Sequence, residues 1–134
     1  MNHEEAFAKA FIASEKRARF IQFLADPRHR KEMLDRMSHN LPYIHALASE
    51  VPGRQDFPEE LETLLRARGA GATCYVLSDG LRIDRKELPL REALDQICMH
   101  SGGAILCCQP GALAYYKPGS PGRGVLLEKR RISG

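Results

Sequence analysis

Cysteine and histidine are the residues of this sequence most able to do covalent or metal chemistry, and it contains four cysteines and five histidines. No two cysteines have CxxC spacing, and no two histidines have the i, i+4 spacing that places two zinc ligands on one helix face. Cys98 and His100 come closest, but two residues apart on a predicted helix their side chains point in different directions. A helix C-terminus also disfavours the thiolate that a cysteine nucleophile needs. The sequence therefore predicts no catalytic residue, no metal ligand and no cofactor.

One enzyme hypothesis stays open, in which distant residues assemble a site from Cys74 or Cys108 and a histidine. Both cysteines lie among apolar residues of predicted strands, where a buried thiol is normally inert. We therefore expect a protein without enzymatic activity and keep the scattered Cys/His site as a third hypothesis.

Basic residues at the start of one predicted helix break a local rule. Asp26 is a suitable N-cap and Pro27 a suitable first residue for a helix over 27–39, whose first turn contains three cations: Arg28, Arg30 and Lys31. Cations are disfavoured there because the free N–H groups already carry positive partial charge. With Arg17 and Arg19 nearby, the pattern predicts a site for phosphate groups or for an acidic protein surface. The alternative is an ordinary solvated helix end.

Two adjacent tyrosines mark a second candidate surface. Tyr115 and Tyr116 fall on a predicted strand, where neighbouring side chains face opposite ways, so at most one is expected to fill the core. The other would be an exposed aromatic, a residue type favoured in binding interfaces. With Arg123 in the following loop and basic residues at the end of the chain, this face could bind single-stranded nucleic acid; those residues are Lys129, Arg130 and Arg131. The alternative is a tyrosine that covers a neighbour or lies under an N-terminal helix.

Composition indicates one ordinary globular domain. The chain has 134 residues, of which 43% are hydrophobic and 28% are charged. Its 20 basic and 17 acidic residues give a net charge of +3, too small an excess to indicate nucleic acid or an anionic membrane by itself. No apolar run is long enough to cross a membrane, and charged residues interrupt any N-terminal signal segment. We expect a cytoplasmic protein with reduced cysteines and no membrane partner.

Apolar periodicity and turn residues divide the chain near Gly69. Helices are predicted over 4–25, 27–39, 57–68 and 89–100. Strands are predicted over 73–77, around Leu81 and Ile83 after an Asp79-Gly80 turn, and over 104–109, 112–117 and 124–130. Within the first helix, Phe20 and Phe23 lie off the main apolar stripe. Either the helix breaks near Ser14, which would cap a new helix, or another element covers its second face.

This order of elements predicts an α+β fold. We expect N-terminal helices packed on a mainly antiparallel sheet of about four or five strands, with all the helices on one face of the sheet. One further helix is inserted between the first strands and a C-terminal meander, whose short connections force antiparallel neighbours. Residues 1–134 are expected to form a single domain, in which a helical part, 1–70, and a strand-rich part, 71–134, share one core.

Three segments together resemble a group of small bacterial cytosolic proteins. The segments are Thr73–Ser78 (TCYVLS), Glu87–Leu94 (ELPLREAL) and Gln109–Tyr116 (QPGALAYY). The resemblance covers the C-terminal half and implies a bacterial, cytosolic protein. It brings no activity and no site residues with it.

Three functional hypotheses follow from these patterns. The first is a non-enzymatic interaction or regulatory protein, such as an immunity-type inhibitor, which binds another protein or itself through the aromatic sheet face or the basic helix end. The second is a nucleic-acid-binding module that uses the same basic and aromatic residues. The third is the scattered Cys/His enzyme. The candidate binding residues are Arg28, Arg30, Lys31, Tyr115, Tyr116 and Arg123.

Overall fold

A computed structural model describes residues 2–51, 57–78, 82–119 and 123–129. Its helices are α1 (His3–Phe11), α2 (Ser14–Ala25), α3 (Pro27–Met37), α4 (Pro58–Ala67) and α5 (Leu90–Cys98), with one 3-10 turn at His45–Leu47. Its strands are β1 (Ala48–Glu50), β2 (Thr73–Ser78), β3 (Glu87–Pro89), β4 (Ala104–Gln109), β5 (Leu113–Lys117) and β6 (Val125–Glu128). The α+β prediction is confirmed. None of the helices described is long and apolar enough to cross a membrane.

The first predicted helix is two helices, which confirms the alternative of a break. Ile12 leaves α1 in extended conformation and forms an isolated antiparallel bridge with Tyr43, so the chain turns before α2 begins. Ser14 is the first residue of α2 and makes no capping hydrogen bond, so its predicted role as N-cap is wrong. The start of α3 is confirmed, because the Asp26 carboxylate accepts a hydrogen bond of 3.0 Å from the backbone N–H of Arg28.

The strands form one antiparallel sheet of six in the order β1-β6-β5-β4-β2-β3. The predicted meander is confirmed as β4, β5 and β6, and its first turn contains Gly111 at a φ of 69°, which glycine adopts without strain. β2 joins the meander through β4, across the helix that separates them in sequence. The sheet has more strands than predicted, because β1 pairs with β6 at one edge.

The strand predicted around Leu81 and Ile83 is wrong at Ile83. Ile83 lies in a turn, and the strand that pairs with β2 is β3, whose Glu87 lies opposite Tyr75. The chain reverses at Arg85, which has a φ of 66° and whose N–H donates to the carbonyl of Val76. Asp79, Gly80 and Leu81 lie outside the described residues.

Helices cover both faces of the sheet, so the expectation of a single covered face is wrong. On one face, Phe7, Phe11 and Phe20 of the first two helices form a core with Ile105 and Tyr116. On the other, α4 and α5 bury their leucines in a second core; its members include Leu61, Leu65, Leu94, Leu106 and Tyr115. The physical reason is the strand β4, whose apolar run from Ala104 to Cys108 is buried throughout and needs cover on both sides.

Candidate functional site

Both tyrosines of the predicted aromatic surface lie inside the protein. Tyr115 is 1% exposed and Tyr116 is 3% exposed, so the expectation that one of them faces solvent is wrong. They do point to opposite faces of the sheet, but each face is covered by helices. The Tyr116 hydroxyl donates to the carbonyl of Met37 at the end of α3, and burial raises the pKa of Tyr116 to about 12. Neither ring is available to stack on a base or a partner side chain.

Arg123 lies apart from an aromatic surface. Its side chain is exposed and lies 3.7 Å from the carboxylate of Glu50, beside the β1 edge of the sheet. Lys129 is also exposed, whereas Arg130 and Arg131 lie outside the described residues. The predicted combination of basic and stacking side chains is therefore missing from the described part of this face.

Arg30 points into the protein instead of towards a partner. The residue is buried, at 7% exposure, and its guanidinium donates two hydrogen bonds, of 3.1 and 2.9 Å, to the carboxylate of Asp84. A third hydrogen bond, of 2.9 Å, goes to Glu4, and a fourth, of 3.1 Å, goes to the carbonyl of Leu24. Burial lowers the pKa of Arg30, but the bonds to Asp84 and Glu4 outweigh it and leave that pKa raised. Arg30 is a structural cation whose charge is already matched.

Of the three cations predicted to form a basic helix end, Arg28 and Lys31 remain as exposed side chains. Both are exposed, and neither has an ion-pair partner among the residues described. His29 lies between them, with its Nδ1 2.7 Å from the carboxylate of Asp26. The hydrogen bond with His29 and that with the Arg28 N–H lower the pKa of Asp26, which keeps a negative charge at this helix end.

A groove with an apolar floor lies at the opposite end of the same helix pair. α2 and α3 fold back on each other, so the first half of α2 meets the last turn of α3 and the segment after it. The opening has a volume of about 310 Å³. Its apolar lining residues are Phe20, Met33 and Pro42, and its polar lining residues are Lys16, Arg19, Arg36, His39 and Asn40. None of these residues is acidic.

Two of the rim cations are held in position by neighbours. The Arg19 guanidinium lies 5.0 Å from the centre of the Phe23 ring, and that ring stacks on His29 at 4.5 Å. Arg36 donates a hydrogen bond of 2.8 Å to Glu32, one turn earlier on the exposed side of α3. Lys16 and His39 are exposed, and the described residues include no ion-pair partner for either. The rim therefore combines two oriented cations with two adaptable basic side chains.

The net positive charge of the chain comes from the segment that contains α2 and α3. Residues 14–37 contain seven basic and four acidic side chains, a difference of +3, which equals the net charge of the complete sequence. Sequence reasoning noticed Arg19 but missed Lys16, Arg36 and His39. The sequence does contain a signal for these residues, because two pairs of basic residues are spaced three apart, at positions 16 and 19 and at positions 36 and 39. Residues with this spacing lie on the same face of a helix.

The three buried cysteines offer no activated nucleophile. Cys74, Cys107 and Cys108 line an opening of about 440 Å³ near His3, at the point where the pairing of β2 with β4 stops. Burial raises the pKa of Cys74 to about 12 and raises that of Cys107 and of Cys108 well above the usual range. His3 stacks on the Tyr75 ring at 4.7 Å. Within the described ranges, no group of three or more His, Cys, Asp or Glu side chains could hold a metal ion.

The largest of these openings is a mixed polar surface. It has a volume of about 710 Å³ and lies between β1, the end of α4 and β6. Its main charges, Arg68 and Glu128, form an ion pair of 2.7 Å with each other.

Comparisons of the chain with protein-family models, with curated proteins and with solved structures gave no match. Among the openings described, the α2–α3 groove has the clearest combination of shape and charge.

Proposed function

We propose that this protein is a non-enzymatic interaction module that binds an acidic partner protein through the basic face of α2 and α3. The observation that carries the proposal is the groove between these helices, which has an apolar floor and only basic charged residues on its rim. Apolar surface with a charged border is typical of a binding site, because burial supplies affinity and charge supplies orientation. Arg28 and Lys31 add two exposed basic side chains near the start of α3, at the other end of the helix pair.

Nucleic acid is the second candidate, and two observations weigh against it. The sheet tyrosines that would stack bases are buried, and Phe20, the aromatic residue at the groove, is only 1% exposed. A single strand binds by backbone charge together with successive base-stacking surfaces, and this face offers the charge without the rings. The salt dependence of a phosphate contact would still distinguish the two classes of partner.

Self-association through this face is disfavoured by its charge. In a symmetric dimer the same patch meets itself, so Lys16 and Arg19 of one copy would face the cations of the other. Like charges placed together across an interface cost several kcal/mol, on the order of the affinity of a weak complex. The proposed partner is therefore a different protein with acidic residues at its contact surface.

A capture experiment with a matched control tests the proposal. The protein is immobilised and exposed to nuclease-treated lysate of its own source, and captured proteins are identified and then purified for titration. Lys16→Glu combined with Arg19→Glu should reduce capture of an acidic protein at least tenfold. The control, Arg82→Glu combined with Lys129→Glu, makes the same change in charge at exposed sites outside α2 and α3. Equal effects of the two variants, or capture from untreated lysate that is absent from the nuclease-treated lysate, would overturn the proposal.

A further inference from the structure

We infer that the groove binds one large apolar side chain of a short partner segment whose flanking residues are Asp or Glu. This inference deepens the proposed function and rests on it. The first support is size. An apolar cavity of about 150 Å³ is enough for a benzene molecule, and small-ligand pockets begin at about 300 Å³. An opening of about 310 Å³ therefore fits one branched or aromatic side chain with its adjoining backbone, and is too small for a whole helix face.

The second support is the composition of the floor. Met33 is half-buried against the same core as Phe20, and Pro42 is the third apolar lining residue. An unbranched methionine adapts to different apolar side chains, which suits a site that accepts leucine, methionine or phenylalanine. A phosphate group would leave this apolar floor exposed to water. An apolar side chain would bury it, and the burial of apolar surface would stabilise the complex.

The third support is the placement of basic residues on both sides of the floor. Lys16 and Arg19 stand on α2, while Arg36 and His39 stand at the end of α3. A segment that crosses the groove with its apolar residue on the floor therefore meets basic side chains before and after that residue. Carboxylates on both sides of the apolar residue match this arrangement, and the orientation of Arg19 by Phe23 reduces the entropy lost on binding.

Labelled peptides test the inference on the unmodified protein. The probe is a fluorescent twelve-residue peptide of Glu, Asp and Gly with a single central Leu, titrated by fluorescence anisotropy. Its matched partner has Ala in place of Leu, and a third peptide has Lys in place of every acidic residue. The Leu peptide should bind at least tenfold more tightly than the Ala peptide, because the difference is the burial of one leucine side chain. The Lys peptide should show no binding.

Variants of the groove locate the contact. Met33→Gln should remove most of the difference between the Leu and Ala peptides, whereas Met99→Gln should leave it unchanged, because Met99 is 89% exposed directly after α5 and does not line the groove. Lys16→Gln should weaken the binding of both peptides by a similar factor. Lys86→Gln, at another exposed site, should leave the binding of both unchanged. If Met33→Gln fails to fold, the Leu-to-Ala comparison on the unmodified protein still decides the inference.

Three results would overturn the inference. Equal binding of the Leu and Ala peptides, both weakened by Lys16→Gln, would reject the apolar anchor while leaving the proposed function intact. No binding of any acidic peptide, together with capture of a whole acidic protein that depends on Lys16 and Arg19, would show that the groove does not take a short segment. Displacement of the Leu peptide by a twelve-nucleotide single strand at lower concentration than by unlabelled peptide would assign the face to nucleic acid and would overturn the proposed function as well.

Discussion

Arg30 on α3 donates two hydrogen bonds to Asp84, a residue 54 positions later in the turn before β3. The same guanidinium reaches Glu4 on α1, whose other carboxylate oxygen accepts a hydrogen bond of 2.7 Å from the Tyr75 hydroxyl on β2. Asp84 also accepts a hydrogen bond from the backbone N–H of Ser78 at the end of β2. Arg30 also donates to the Leu24 carbonyl of α2, so it connects three helices and a turn directly, and β2 through its two carboxylate partners. These bonds fix the position of the α3 helix, which carries half of the groove.

Replacing this cation should destabilise the protein strongly. Arg30→Met should lower the free energy of unfolding by about 3 kcal/mol, because it leaves the carboxylates of Glu4 and Asp84 without their buried partner. Arg36→Met is the matched control, since it breaks an exposed pair with Glu32 that contributes at most about 1 kcal/mol. Urea denaturation followed by circular dichroism measures both. Similar losses for the two variants would contradict the structural role of Arg30.

Thiol reactivity should separate the four cysteines. At neutral pH a thiol reagent should modify Cys98 first, because it is only half-buried, while the other three should react only after unfolding. Those three are buried, and their raised pKa values keep them protonated near neutral pH; they are Cys74, Cys107 and Cys108. Mass spectrometry of partially labelled protein identifies the modified site. Rapid labelling of Cys74 or Cys108 in the folded state would restore the scattered Cys/His enzyme hypothesis.

Stability should fall at alkaline pH because of buried groups that are neutral when protonated. Burial raises the pKa of Tyr116 to about 12, from an ordinary value of 10.0, so the folded state retains a proton that the unfolded state releases. The contribution of Tyr116 is therefore complete below about pH 10 and is lost as the pH rises towards 12. Cys74, with a pKa of about 12 against an ordinary 9.0, acts in the same direction from about pH 9.

Urea titrations at about pH 8, pH 10 and pH 11.5 measure this alkaline loss. Tyr116→Phe should be less stable than the unmodified protein at pH 8, because it removes the hydrogen bond to the Met37 carbonyl. It should also lose stability less steeply between pH 10 and pH 11.5. An unchanged slope for Tyr116→Phe would show that this phenol does not link stability to pH.

A glycine at the start of β4 should be required for the end of α3 to pack on the sheet. A Cβ added to Gly103 would lie 2.9 Å from the backbone of Ser38, and the Gly103 N–H donates a hydrogen bond of 2.8 Å to the Ser38 hydroxyl. Gly103→Ala should cost about 1–3 kcal/mol of stability, because backbone cannot move aside as a flexible side chain can. Gly71→Ala is the control, since no atom lies within 4 Å of the added carbon there.

The same Gly103→Ala variant connects stability to binding. His39 and Asn40, which line the groove, directly follow Ser38 in the chain. A shift of Ser38 should therefore also weaken binding of the Leu peptide, and this binding is measured under conditions where the variant is folded. Unchanged stability of Gly103→Ala relative to Gly71→Ala would contradict the close packing.

Local signals in the sequence determined where most elements begin and end. Asp26 and Pro27 start α3, Gly69, at a φ of 109°, follows the end of α4, and the Pro110-Gly111 turn separates β4 from β5. These signals act within a few residues, so they can be read without knowing the rest of the fold. The α+β class and the antiparallel meander follow from them, because short connections leave few alternatives.

Only the tertiary structure decided which side chains face solvent. The continuous apolar run of β4 requires cover on both faces of the sheet but does not specify which helices supply it. The burial of Tyr115 therefore depended on where α4 and α5 pack, and that of Tyr116 on where the N-terminal helices pack. Arg30 turns inward because its carboxylate partners come from α1 and from the turn before β3, far away in sequence. The basic residues of α2 and α3 became a groove only when the two helices folded back on each other, because contact between distant segments, unlike a cap or a turn, has no local signal.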